Sequence, residues 1–173
     1  MLLQQDVLVV DQVTSFMSND FAIYDRAGQV VGQIRTEGGL GSRMLIGSRQ
    51  FTVFDTDGQP VLQIYDSPNF GLDKFELADG AGQPIGRVVK QFSFFSKRLT
   101  LEVAGGQYLD LKGDWFDFSF EITGPEGVVA TVSRSWPGVA GGLLGRSRFV
   151  VAFNRSATPQ VRRAVLGAVV AVD

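Results

Sequence analysis

The sequence predicts a mostly β fold: a closed antiparallel barrel of about twelve strands with a buried hydrophobic C-terminal helix. Three observations support it: an apolar tail, a repeated turn motif and many short apolar runs between turns. Those runs number roughly eleven to thirteen. A sheet of that size curls or closes, and a barrel of more than about eight strands is too wide for its own side chains to fill. We therefore expect one domain, residues 1–173, whose tail fills the barrel.

The tail is residues 158–173, TPQVRRAVLGAVVAVD, and residues 164–172 contain no polar side chain. Thr158 and Pro159 are typical of an N-cap and a first helical turn. A helix over about 159–172 would be roughly 21 Å long, too short for a hydrocarbon core of ~30 Å. A central β-strand is the alternative, because four of the nine residues 164–172 are valine. We favour a helix surrounded by protein on every side.

A repeated motif, D-x-x-G-Q, follows a strand-like run at three places. The copies are FAIYDRAGQ from Phe21, FTVFDTDGQ from Phe51 and FELADGAGQ from Phe75, and a weaker copy, FEITGPEG, begins at Phe120. An aspartate that opens a turn and a glycine near its end predict β-hairpins. The alternative is a calcium site that uses the turn acids: Asp25, Asp55, Asp57 and Asp79. An EF-hand loop needs more acids, a glycine at its sixth position and a terminal glutamate, so we expect hairpins and no metal.

The composition excludes several common kinds of catalytic site, because the chain has no cysteine and no histidine. It therefore lacks thiolate chemistry, the commonest general base and any Ser–His–Asp triad. We expect a protein that is not an enzyme and that uses no cofactor. The N-terminus, MLLQQDVLVVDQ, lacks the basic region of a signal peptide. The expected location is cytoplasmic, including a peripheral position at the inner face of the membrane.

The charge is unevenly distributed along the chain. Residues 1–126 hold 17 acids and 10 bases, whereas residues 127–172 hold no acid and six arginines. Such a basic segment beside apolar residues indicates an anionic partner, such as a phospholipid headgroup. The alternative is that these arginines pair with acids of the first part.

The stretch QFSFFSKRLTLEV, residues 91–103, places aromatic beside basic residues, a combination that can bind nucleic acid by stacking on its bases. A hairpin with buried phenylalanines is the preferred interpretation, and the acidic pI of about 5.1 argues against a nucleic-acid partner.

Motifs in the second half resemble those of the LURP-one-related family. They are L-x-G-D-W at residues 111–115, F-x-I at 120–122 and G-x-x-A-x-V-S-R-x-W at 127–136, followed by the strand 149–153 and the apolar tail. This family is grouped with the phospholipid scramblases and the Tubby C-terminal domain. The resemblance implies a twelve-stranded antiparallel barrel around a hydrophobic C-terminal helix. It also implies lipid interaction: phosphoinositide binding in Tubby domains and calcium-dependent scrambling in scramblases.

One departure from this resemblance concerns calcium. In relatives the last strand and its lead-in usually carry acids, which scramblases are thought to use for calcium. Here residues 147–152, SRFVVA, contain none. Because calcium sites depend on carboxylate oxygens, any scrambling by this chain is expected to be independent of calcium.

The segment 136–145, WPGVAGGLLG, is the candidate functional loop, since aromatic residues and arginines are favoured at lipid interfaces. The candidate headgroup contacts are the arginines that flank it: Arg134, Arg146 and Arg148. The candidate membrane or partner contacts are its large apolar side chains: Trp136, Leu143 and Leu144. The alternative is that these apolar side chains cap one end of the barrel.

Three functions are consistent with these observations. The leading one is a lipid- or membrane-binding barrel, the second is an interaction module that docks a protein partner through the apolar loop, and the third is a carrier or enzyme that uses the barrel mouth. The lack of histidine and cysteine places the third last. Salt dependence separates the first two, because arginine–headgroup binding weakens with ionic strength and apolar docking does not.

Overall fold

The computed structural model describes residues 1–11, 20–37, 50–67, 74–92, 97–114, 117, 119–134 and 148–172. Within these residues one 3₁₀ turn, Leu2–Gln4, precedes twelve strands and one helix, α1, Pro159–Val172. The strands are β1 Val7–Asp11, β2 Asp20–Asp25, β3 Val30–Glu37, β4 Gln50–Asp55, β5 Pro60–Ser67, β6 Lys74–Asp79, β7 Pro84–Phe92, β8 Lys97–Val103, β9 Gln107–Asp114, β10 Ser119–Gly124, β11 Gly127–Ser133 and β12 Arg148–Phe153.

The strands form one closed barrel in which every strand is antiparallel to its neighbours in sequence. Closure comes from β1 and β12, with Val9 opposite Val150, so the two ends of the chain meet at a seam. Gln91 of β7 is paired with Arg98 of β8, which confirms that these two strands pair as predicted. The predicted turn and the side chains of its phenylalanines lie outside the described residues. The predicted barrel is confirmed, and each of the twelve described strands has a partner on both sides, so none of them is an exposed edge.

The D-x-x-G-Q motifs form the hairpin turns that the sequence predicts. In the first, the Gly28 N–H donates to the Asp25 carbonyl at 3.1 Å, and the Asp25 N–H donates to the Gln29 carbonyl at 2.9 Å. The Asp25 carboxylate accepts from the Ala27 and Gln29 N–H groups, each at 2.9 Å. Asp79 is bonded in the same way in the third turn. Each aspartate therefore stabilises its own turn through backbone hydrogen bonds.

Four hairpins share a β-bulge that the sequence did not indicate. In each, the pairing register shifts by one residue just after the turn. The extra residue in the second strand is Val31, Val61, Ile85 or Val129. All four side chains belong to the central core or pack against it. The bulges thus add apolar side chains to the core near one end of the barrel and increase the local twist.

The tail forms the predicted helix. The Val161 N–H donates to the Thr158 hydroxyl at 3.3 Å, as expected for an N-cap. Residues 164–171 are all buried. Gly167 faces β5 and β6, where a Cβ atom would lie 2.8 Å from a methyl carbon of Leu77. Within the described ranges, no helix combines the length and apolar character that a membrane span requires.

The end of the barrel at which the helix begins also carries the short turns; we call it the turn rim. It comprises residues 1–6, the turns at 25–29, 55–59, 79–83, 103–107 and 124–127, and residues 154–158. Leu2 closes part of this end, because its side chain is fully buried and lies over Gly32, where a Cβ would come within 3.1 Å of it. The Leu2 N–H donates to an Asp55 carboxylate oxygen at 3.3 Å.

Candidate functional site

Arg148, one of the three predicted headgroup contacts, is paired within the protein. Its Nε donates to Asp11 Oδ1 at 2.6 Å, and its Nη2 donates to the Tyr24 hydroxyl at 3.2 Å. Its guanidinium carbon lies 4.7 Å from the centre of the Tyr24 ring. The hydrogen bond that Arg148 donates to Asp11 is the main reason that the pKa of Arg148 is raised. Because Asp11 lies opposite Arg148 in the β1–β12 pairing, this cluster helps to hold the first and last strands together at the seam.

Arg134 lies just after β11 and forms a looser pair. Its Nε is 3.4 Å from Asp117 Oδ1, and 37% of its side chain is exposed. An exposed pair of this kind contributes little to stability and leaves the guanidinium able to exchange partners. The remaining predicted site residues lie outside the described residues: Trp136, Leu143, Leu144 and Arg146.

Arg162 is a buried arginine on α1 that the sequence interpretation counted only as part of the basic segment. It is 7% exposed. Its Nη1 donates to the Gln5 carbonyl at 2.8 Å and its Nε to the Ala157 carbonyl at 3.0 Å. Its Nη2 donates to Asp6 Oδ1 at 2.8 Å. The interaction joins the helix to the N-terminal segment across the turn rim.

Beside this interaction an open groove of about 560 Å³ follows the seam at the turn rim. Its apolar floor includes Val7 of β1, Ala152 of β12 and Val128 of β11. Its charged lining consists of Asp6, Arg26 and Arg155. We call it the seam groove. It exists only because the first and last strands pair, which brings residues from both chain ends together.

Arg26 and Arg155 are the exposed cations of the seam groove. Arg26 follows Asp25 in the first repeat turn, and Arg155 follows Asn154, whose side chain accepts from the Ser156 N–H at 3.1 Å. Neither arginine has a hydrogen bond or ion pair within the part of the chain that the structure describes. Their guanidinium groups can therefore donate to a ligand without first breaking an internal pair.

Asp6 is the acidic member of the groove. Its pKa is lowered, first by the hydrogen bond from Arg162 and to a smaller extent by the charges of Arg162, Arg155 and Arg26, while burial acts in the opposite direction. The carboxylate is therefore ionised at neutral pH. Asp6 keeps its negative charge, and together with the positive charges of Arg162, Arg26 and Arg155 it leaves the groove with a net positive charge.

This arrangement suits an anion that carries an apolar part. Guanidinium groups form paired, charge-assisted hydrogen bonds with phosphate oxygens. Apolar side chains on the floor can contact the alkyl part of the same molecule. Among the described residues there is no group of three or more acidic, histidine or cysteine side chains that could hold a metal ion. The turn carboxylates that could have formed one instead accept backbone N–H groups.

Fold and groove together define a class of protein: a closed twelve-stranded antiparallel barrel filled by its C-terminal helix. The family model described as LURP-one-related matches residues 6–173. The chain therefore belongs to the LURP-one-related family. It is similar to a protein from Arabidopsis thaliana solved by X-ray crystallography, with 17% identity, a TM-score of 0.59, and coverage of 96% of this chain and 88% of that chain. At that identity the likeness shows a shared fold. A comparison with curated proteins gives no match.

Proposed function

We propose that this protein is a non-enzymatic barrel that binds phospholipid at a membrane surface, with Arg26 and Arg155 contacting headgroup phosphate. The main observation behind the proposal is the seam groove, where two exposed arginines flank an apolar floor and have no partner among the described residues. Membership of a family whose fold resembles the Tubby C-terminal domain supports it. The proposal places the protein in the cytoplasm, at the inner face of the membrane.

Arg134 and Arg148 lie at the opposite end of the barrel from the seam groove. β12 begins at Arg148 and ends at Phe153, so Arg148 is seven residues, or about 20 Å of extended chain, from Arg155. A membrane that meets the turn rim end-on does not contact the opposite end of the barrel. Arg148 is paired with Asp11, whereas Arg155 has no partner in the described part of the chain, so the turn rim is the better candidate for the membrane-facing end.

The proposal is tested by sedimentation with phosphatidylcholine vesicles that contain or lack phosphatidylglycerol. An arginine at an anionic surface contributes about 1 kcal/mol, so the double variant Arg26→Gln/Arg155→Gln should lose about thirtyfold in partitioning. The charge-matched control is Arg87→Gln/Arg98→Gln, which removes two exposed arginines from β7 and β8 on the opposite wall. The control should bind like the wild type. Raising the salt should weaken wild-type binding, because exposed charges are screened over about 10 Å at 0.1 M salt.

Two results would count against this proposal. Equal losses in the rim variant and the control would mean that only net charge matters. If vesicle binding is lost only when Arg134, Arg146 and Arg148 are changed together to glutamine, the opposite end of the barrel faces the membrane. Because Arg148 fastens the seam, that triple variant also needs a melting curve to show that it is folded.

A further inference from the structure

The seam groove contains a carboxylate that a site for phosphate alone does not need. Asp6 Oδ1 accepts the hydrogen bond from Arg162 Nη2. Asp6 Oδ2 accepts no hydrogen bond from any described residue, and 55% of the side chain is exposed. The hydrogen bond from Arg162 to Asp6, which we call the latch, thus uses one oxygen of a carboxylate that lines the seam groove and leaves the other oxygen without a donor among the described residues.

One negative and two positive side chains line the groove near this oxygen. Asp6 carries the negative charge, and the charges of Arg26 and Arg155 both reach it, since both lower its pKa. A bare phosphate would be attracted by the two arginines and repelled by Asp6. A ligand with a phosphate and a nearby ammonium would match all three groups, because the ammonium N–H groups can donate to the free carboxylate oxygen.

We propose that the seam groove selects a phosphate that carries a primary ammonium group, as in phosphatidylethanolamine, with Arg26 and Arg155 on the phosphate and Asp6 Oδ2 on the ammonium. This inference rests on the proposed lipid-binding function and adds the identity of the headgroup. Phosphatidylcholine has the same net charge, but its quaternary nitrogen has no N–H group. It can satisfy the arginines and cannot donate to Asp6.

The test uses two sets of vesicles with the same fraction of phosphatidylglycerol, the remainder being phosphatidylethanolamine or phosphatidylcholine. A charge-assisted hydrogen bond at a partly exposed site should give the wild type about a tenfold preference for the ethanolamine vesicles. Asp6→Asn should remove that preference. An asparagine whose amide oxygen still accepts from Arg162 presents an NH₂ group where Oδ2 was, and an NH₂ group cannot accept from ammonium. Its melting temperature checks that the latch is kept.

A second arm separates a membrane lipid from a soluble phosphate ester. Phosphoethanolamine and phosphocholine are added to the wild type and to Asp6→Asn, and the melting temperature is measured. Stabilisation of the wild type by phosphoethanolamine alone, lost in Asp6→Asn, would support the groove chemistry. If no vesicle retains the protein, that same stabilisation would support a soluble ligand and contradict the membrane function.

The inference fails under two results. Equal retention of the wild type on ethanolamine and choline vesicles overturns the headgroup selection while leaving lipid binding intact. An ethanolamine preference that persists in Asp6→Asn overturns the role of Asp6, because the preference must then arise from the packing of the bilayer.

Discussion

The guanidinium of Arg162 on the C-terminal helix donates to Asp6 Oδ1 at 2.8 Å, which joins residues 156 positions apart. Two further donations, to the Gln5 and Ala157 carbonyls, hold the same guanidinium between the N-terminal segment and the start of the helix. The turn rim, and with it the seam groove, therefore depends on one buried side chain.

Replacing Arg162 with methionine should destabilise the barrel. The change keeps much of the apolar stem but leaves the Gln5 and Ala157 carbonyls without their donor, which we expect to lower the free energy of unfolding by about 3 kcal/mol. Urea unfolding followed by circular dichroism measures it. The control is Arg98→Met, an exposed arginine on β8 that should change stability by less than about 1 kcal/mol. Similar losses in both variants would contradict a structural role for Arg162.

The latch should also make stability depend on pH in the acid range. The Asp6 pKa lies below its ordinary value of 3.8, mainly because of the hydrogen bond from Arg162. A carboxyl group whose folded pKa is lowered stabilises the fold above its unfolded pKa, and this contribution is lost as the pH falls through the folded pKa. Asp6→Asn should therefore lose less stability than the wild type below about pH 4. The measurement is the urea midpoint of both proteins across this pH range. If the two midpoints fall by the same amount as the pH is lowered, Asp6 contributes nothing to the pH dependence of stability.

The core of the barrel should depend on Leu166, which is fully buried in α1. Leu166→Ala should cost about 2–5 kcal/mol, because the surrounding strands cannot close the resulting cavity. Leu166→Asp should prevent folding, since a buried carboxylate would have no partner. Val30→Ala is the control, because the Val30 side chain is 55% exposed. A Leu166→Asp protein with native near-ultraviolet circular dichroism would show that the helix is not part of the core.

Calcium should leave the repeated turns unchanged. The Asp25 and Asp79 carboxylates accept backbone N–H groups of their own turns, so calcium would have to displace those bonds. Millimolar calcium should not raise the melting temperature. Asp25→Ala should cost about 1–2 kcal/mol through the two lost hydrogen bonds, while Asp25→Asn, which keeps an acceptor oxygen, should cost less. A saturable calcium-induced rise that Asp25→Asn abolishes would instead make the turn a metal site.

The features that the sequence predicts correctly are those set by local chemistry. Thr158 and Pro159 begin a helix because their side chains favour that geometry, and D-x-x-G-Q makes a turn because Asp25 bonds to the amides that follow it. The closed barrel follows from the number of strands together with an apolar tail that must be buried away from water. The alternative in which the C-terminal arginines pair with acids of the first part is confirmed for Arg148 with Asp11 and for Arg162 with Asp6.

The seam groove could not be predicted because it depends on closure of the barrel. Arg26 belongs to the first repeat turn and Arg155 follows the last strand, and neither position has a local signal that indicates a site. Arg162 lies at the start of an apolar helix, where only its long-range partners show that it is buried. Sequence analysis could identify the basic segment, but it could not separate the arginines that pair within the protein from Arg26 and Arg155, which have no partner among the described residues.

The measurement that tests the membrane-facing end most directly uses single cysteines, because the native chain has none. Gln29→Cys lies at the turn rim beside Arg26, and Gln91→Cys lies at the far end of β7 on the opposite wall; both side chains are exposed. Each is labelled with a dye whose emission shifts in an apolar environment and is mixed with phosphatidylglycerol vesicles at low salt. We expect the label at position 29 to shift and the label at position 91 to remain unchanged. A shift at position 91 with none at position 29 would contradict membrane binding through the turn rim.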